Sequence, residues 1–133
     1  MIGKKVVVRF MDGAVKKGYT CDFSPFKESF HLYGEASSAP AERICLKQGV
    51  KAVFFVRTFA GDPARRKNYL ETATRGCARK VRLRFADGES MLGLTESYSH
   101  DRQGFMLVPT DPGGNNEKIF ALSSAVQECL VAN

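Results

Sequence analysis

Tryptophan is absent from this chain, and no apolar run is longer than Ala52 to Val56. A run that short cannot span a bilayer as a helix, and residues 1–10 alternate instead of forming the apolar centre of a secretory leader. The expectation is a soluble, cytoplasmic protein with no membrane insertion. Cysteine is sparse: Cys21, Cys45, Cys77 and Cys129 lie far apart, without the short spacings that hold zinc or run thiol redox chemistry. This argues against a zinc site or a disulfide framework, and the thiols read as small buried hydrophobes in a reducing compartment. Catalytic patterns are missing as well. His31 and His100 stand alone, and there is no nucleophile elbow and no phosphate loop, so neither an enzyme nor a bound cofactor is expected. His100-Asp101 reads as a polar turn. The stretch from Asp111 to Asn116 reads as a hairpin loop, because a strand pattern follows it where phosphate binding requires a helix.

What the chain does contain is itself, twice. Lys4 to Tyr33 aligns without a gap on Arg79 to Val108, a shift of 75 residues. Identical positions include Lys5/Lys80, Val6/Val81, Arg9/Arg84, Phe10/Phe85, Asp12/Asp87, Gly13/Gly88, Gly18/Gly93, Thr20/Thr95, Phe30/Phe105 and Leu32/Leu107. The match resumes at Glu42-Arg43-Ile44 on Glu117-Lys118-Ile119. One residue out of phase, it continues from Val50 to Phe55 on Val126 to Val131. Nearly the whole chain is therefore two copies of one unit of about 57 residues, close to the lower limit for independent folding, so each copy should lean on the other.

Within each copy the apolar residues alternate with a period of two. Val6, Val8 and Phe10, like Val81, Leu83 and Phe85, mark a half-buried first strand. Asp12-Gly13 and Asp87-Gly88 supply hairpin turns. Second strands follow from Val15 to Phe23 and Ser90 to Tyr98, each with a central glycine that suggests a sharp bend. Third strands are read at Ser29 to Tyr33 and Phe105 to Val108, fourth strands at Arg43 to Lys47 and Lys118 to Leu122, and fifth strands at Lys51 to Arg57 and Val126 to Val131. The pattern predicts an all-β protein of two tandem five-stranded Sm-like or SH3-like barrels, residues 1–58 and 79–133, joined by a linker over 59–78. Asp62 suits a helix N-cap and Pro63 a first helical position, so a short helix through Glu71 is expected in the linker.

The repeated Val-Arg-Phe-x-Asp-Gly wording, a glycine five residues later and a Phe-x-Leu third strand resemble the first motif of Sm-like proteins. The resemblance implies a small barrel whose outer strands associate, between the two copies or with a second chain as a homodimer. It does not carry over uridine recognition, because the family's Asn before the third strand is replaced by Ser29 and Gly104 and its Arg-Gly by Gln48-Gly49 and Ser123-Ser124. Together with Lys-Ala-Val-Phe-Phe-Val-Arg and Asn-Asn-Glu-Lys-Ile-Phe, the wording resembles a family of uncharacterised bacterial tandem proteins, which implies origin and fold but no chemistry. Against the PilZ barrel, which binds cyclic di-GMP, Arg65-Arg66-Lys67 is the nearest approach to the arginine arm, and the strand motif that should accompany it is missing.

The net charge is +6, all of it in residues 1–66. Lys4, Lys5, Arg9, Lys16 and Lys17 crowd the first hairpin, and Arg79, Lys80, Arg82 and Arg84 occupy the matching strand of the second copy. A continuous basic strip would contact phosphates, with Tyr19 and Tyr33 as stacking aromatics. The same residues would also protect strand edges from aggregation. The candidate ligand-binding residues are thus Arg9, Lys16, Lys17, Tyr19, Arg65, Arg66, Lys67, Arg82 and Arg84. With no catalytic or cofactor motif, the expected function is a non-enzymatic binding or regulatory module acting on a protein partner. The alternative is RNA or nucleotide binding through the basic face of the first copy.

Overall fold

The computed structural model describes residues 3–34, 41–60, 78–96, 102–111 and 114–132. The first copy contributes β1 (Lys4–Phe10), β2 (Val15–Thr20), β3 (Ser29–Leu32), β4 (Glu42–Cys45) and β5 (Val50–Val56). The second contributes β6 (Arg79–Phe85), β7 (Ser90–Thr95), β8 (Gly104–Pro109), β9 (Asn116–Leu122) and β10 (Val126–Ala132), with a single 3-10 turn at Ser123–Ala125. The fold is all-β, as expected. The helix expected between Asp62 and Glu71, and with it Arg65, Arg66 and Lys67, lies outside the described residues. Among the described residues no helix is long and apolar enough to cross a membrane.

Both hairpin turns form as the Asp-Gly pairs dictate. Gly13 and Gly88 have φ of 93° and 96°, a region that a side chain would strain. The preceding aspartates each accept a backbone N–H two residues on, Ala14 to Asp12 Oδ1 at 2.8 Å and Glu89 to Asp87 Oδ1 at 3.1 Å.

Two closed barrels do not form. Eight strands make one open antiparallel sheet in the order β10-β6-β7-β8-β9-β5-β1-β2, and β3 and β4 pair as a separate ribbon. The ribbon meets β2 at one bridge, Tyr19 to Tyr33, the counterpart of the Leu94 to Val108 pair that joins β7 to β8. Each copy therefore has the same succession of strands, fourth, third, second, first, fifth. Neither closes on itself, because the second edge of β5 is taken by β9 of the other copy.

The register at this joint explains how one sheet serves two cores. Directly paired residues share a face, and successive residues alternate. Val6 and Val8 pair with Phe55 and Val53, and Val53 pairs in turn with Phe120, so the first copy's core lies on that face. Phe105 and Leu107 pair with Ala121 and Ile119, which pair with Ala52 and Phe54 on the opposite face, where the second core lies. The buried side of the sheet changes at β5 and β9. Every residue of β5 is consequently buried, and one hydrophobic cluster includes Val8, Phe30 and Phe55 with Phe85, Leu107 and Phe120.

The repeated glycine inside the second strand has a different reason from the expected bend. A Cβ on Gly18 would lie 2.5 Å from the carbonyl oxygen of Tyr33, and one on Gly93 would lie 2.3 Å from Leu107 Cδ1. These positions let the chain of the third strand approach the second closely. Because the obstacle at Gly18 is backbone, Gly18→Ala should destabilise the chain by about 1–3 kcal/mol and detach the β3–β4 ribbon first. Denaturant titration combined with amide exchange at Tyr19 and Tyr33 reads this directly, and an unchanged midpoint would refute it.

Candidate interaction surface

The basic residues singled out from the sequence are placed in two groups. Arg9, Lys17 and Tyr19 share one face of the sheet at β1 and β2. Arg82 and Arg84 lie on β6, with four strands between it and β1, and on the other face of the sheet, where Arg82 pairs with Leu92 and Leu130. The structure does not bring them into one strip. Lys16 is on the same face as the first core, with its ammonium on the Glu42 carboxylate and 5.6 Å from the Phe10 ring centroid. Arg84 Nη2 donates to Glu128 Oε2 at 3.0 Å, an exposed pair of small energetic weight.

Lys17 and Tyr19 do come together, around the segment that leaves β5. Lys17 Nζ donates to the Phe59 carbonyl at 3.0 Å, and the Tyr19 and Phe59 rings meet edge-on at 5.3 Å between centroids. Lys5 Nζ lies 6.0 Å from the same ring. Arg9 stands 5.5 Å from the Phe54 ring centroid. Lys5, Lys17 and Tyr19 fasten the first copy's outgoing chain to its own sheet, while Arg9 stays within the sheet over β5.

The most elaborate chemistry lies at the joint between the copies. Lys51, whose side chain is only 5% exposed, donates from Nζ to Asp87 at 2.7 Å and to Glu89 on the second copy's hairpin, and it sits 4.7 Å from the Phe85 ring centroid. At the other end of the joint, Asn115 Oδ1 accepts from the Thr58 N–H at 3.0 Å and its Nδ2 donates to the Thr58 carbonyl at 2.8 Å. In the middle, Phe120 from the second copy enters an aromatic cluster of the first. Its ring meets Phe23 at 5.3 Å, and Phe23 in turn meets Phe30 and Phe55. Lys118 lies 4.8 Å from the Phe55 ring centroid, and burial, then the nearby Lys4, pushes its pKa below 10.5. Gln103 adds a further clasp, donating at 2.8 Å to the carbonyls of both Pro25 and Lys27.

Sequence reasoning passed over this joint, although two signals mark it. Lys51 interrupts the most apolar run of the chain where the second copy has Gln127, and Phe120 stands where the first copy has Cys45. The outer edges of the strand order show the joint's two halves again. Among the described residues no strand pairs with the second edge of β4 or of β10. On β10, Leu130 is 55% exposed on the face away from the second core, beside Arg82, whereas its counterpart Phe54 is 4% exposed on the face that carries that core, paired with Ile119 of β9. Cys45 and Cys129, expected to be buried, are half-buried on these two strands, and Cys21 is exposed. Cys77 and the His100-Asp101 turn lie outside the described residues.

A second feature without a sequence signal is the pair of Asp22 and His31. His31 Nδ1 donates to Asp22 Oδ2 at 2.7 Å, and the His31 backbone N–H donates to Asp22 Oδ1 at 2.9 Å. The Thr20 hydroxyl also donates to Asp22 Oδ1, at 3.2 Å. This turns the chain at Asp22 and ends β2 short of the expected Phe23. Burial works against the carboxylate, but these hydrogen bonds outweigh it and hold the Asp22 pKa below 3.8. The Asp87 pKa is also held below 3.8, foremost by the hydrogen bond from Lys51 and then by the Glu89 N–H.

Because both carboxyls give up their protons more readily in the folded chain, the unfolded chain takes up protons first on acidification. Their contribution to stability is full above about pH 4 and is lost as the pH falls through the lower folded values. Urea unfolding across an acidic pH series should show a shallower loss of stability for Asp22→Asn and Asp87→Asn than for the wild type. Parallel curves would refute this.

The chain belongs to the family of unknown function DUF6982, whose model matches residues 2–132. No curated protein and no solved structure gives a significant match.

Proposed function

We propose that this chain is a non-enzymatic binding or regulatory module of the bacterial cytoplasm that works by protein contact through its strand edges. The observation that carries this reading is the outer edge of β10, which no strand pairs among the described residues and where Leu130 is exposed, whereas the equivalent edge of β5 is paired with β9 and the equivalent Phe54 is buried. A strand edge without a partner among the described residues, beside an exposed apolar side chain, suits the addition of a strand. The strand succession common to both copies supports reading each as an opened Sm-like unit. The employment of Lys16, Lys17 and Tyr19 in internal contacts supports protein over phosphate as the ligand.

One observation favours the second reading, RNA or nucleotide binding. Phe26 is 79% exposed on the turn held by Gln103, and the Arg102 guanidinium stands 5.8 Å from its ring centroid, a cation beside an open stacking surface.

Titration of labelled single-stranded RNA, single-stranded DNA and cyclic di-GMP at two salt concentrations separates the readings. No binding at either concentration is expected. Salt-sensitive binding that disappears in Phe26→Ala would overturn the protein reading in favour of nucleic acid.

A further inference from the structure

We propose that β10 of one chain adds to β4 of the next, head to tail, so that the seam between chains repeats the β5–β9 joint found inside each. This rests on reading β10 as the working edge and names its occupant, a second copy of the same chain.

The argument is one of equivalence. Inside the chain, a fifth strand (β5) pairs antiparallel with a fourth strand (β9) over Ala52 to Ala121, Val53 to Phe120, Phe54 to Ile119 and Phe55 to Lys118. The remaining fifth strand is β10, and the remaining fourth strand is β4. They are the outermost strands of the whole succession, and each has its inner edge engaged as its counterpart does. Val8, Val7 and Val6 pair with Val53, Phe54 and Phe55, just as Leu83, Arg82 and Val81 pair with Cys129, Leu130 and Val131. A joint between unlike edges leaves the complementary pair of edges unpaired among the described residues, and one seam at each of them satisfies both.

The charges on β4 do not forbid the seam. Glu42 and Arg43 are exposed there, but their counterparts in β9 are Glu117 and Lys118, and β9 pairs with β5 nonetheless. The seam is a weaker version of the joint. Gln127 replaces Lys51, Asp12 replaces Asp87 and Ala14 replaces Glu89, so one amide facing one carboxylate stands where a buried ammonium holds two. Association is therefore concentration-dependent, whereas the internal joint is permanent.

The register places two native thiols together. Carried over by the sequence match of Ile44 to Ile119, it sets Cys129 opposite Cys45 of the neighbouring chain. Carried over by strand pairing, it sets Cys129 opposite Arg43, because Phe30 pairs with Ile44 whereas Phe105 pairs with Ala121. The two differ by two residues along β4 and keep the same face, so a short bis-maleimide reaches from Cys129 to Cys45 in either.

The test combines light-scattering mass over a wide concentration range with bis-maleimide treatment and peptide mapping of the full chain. A mass rising from 14.7 kDa to at least its double, with a link from Cys45 of one chain to Cys129 of another, is expected. That link should vanish in Cys45→Ser. Leu130→Asp, and independently Leu130→Lys, should return the mass to that of one chain while leaving the circular dichroism of the fold unchanged. A monomer mass at every concentration, or intermolecular links that avoid the Cys45–Cys129 pair, overturns the seam. Neither outcome bears on the nucleic-acid titrations, so the two readings fail separately.

Discussion

Phe120→Ala should destabilise the chain by about 3–5 kcal/mol and should do so in both copies at once. The ring belongs to β9, in the second copy, yet it is fully buried among Phe23, Phe30 and Phe55 of the first. Truncation removes its transfer free energy, its edge-on contact with Phe23, and packing that half-exposed Cys45 has no equivalent of at the opposite edge. Against a total stability of about 5–15 kcal/mol for a domain, that loss is decisive. Denaturant unfolding followed by amide exchange should show β1 and β5 losing protection together with β8 and β9. If only the second copy loosens, or the midpoint hardly moves, the joint is not the keystone its geometry indicates. Phe120→Leu provides the graded control, because it keeps an apolar side chain in the cluster while removing the ring that meets Phe23.

The second large effect belongs to the Lys51 clamp, and its sign depends on which partner is removed. Burying an ammonium costs its hydration, and here two carboxylates and the Phe85 ring repay that cost. Asp87→Asn/Glu89→Gln leaves the cation buried without a counter-charge and should destabilise by about 3 kcal/mol, the lower end for such pairs because both carboxylates are partly open to water. Lys51→Met leaves the carboxylates to be solvated where they stand, about a third exposed, and should cost far less. The triple variant Lys51→Met/Asp87→Asn/Glu89→Gln should therefore be more stable than the double. A double-mutant cycle in urea reads this ordering, and additive effects would remove the clamp from the account.

Much of the architecture was legible in the sequence, and the missing part has one physical cause. Alternation, the Asp-Gly turns and the internal match located the ten strands of the described residues, because these are local signals that each copy states independently. Closure was not legible, since it depends on which of two edges β5 prefers, and that is a competition between partners distant in sequence. The role of Gly18 and Gly93 was misread for the same reason. A glycine reports that space is needed there, while the Tyr33 carbonyl that needs it belongs to another strand. The basic residues illustrate the converse. Lys17 and Arg9 advertise charge, but the Phe59 carbonyl and the Phe54 ring that engage them are invisible until the chain is folded. Lys51 was the signal best placed to be noticed, being a charge inside the most apolar strand and without a charged counterpart in the other copy.

The strand order also gives the molecule a mechanical direction. Among the described residues β10 is held along one side only, by β6, whereas β1 is held by both β2 and β5. A pull applied from the C-terminal side of β10 peels that strand away one hydrogen-bonded pair at a time, as a zipper opens. The same pull applied ahead of β1 must shear two ladders together. An ATP-driven unfoldase that threads the chain from the C-terminal side meets the lower barrier, and capping β10 with a neighbour's strand would remove that weak grip.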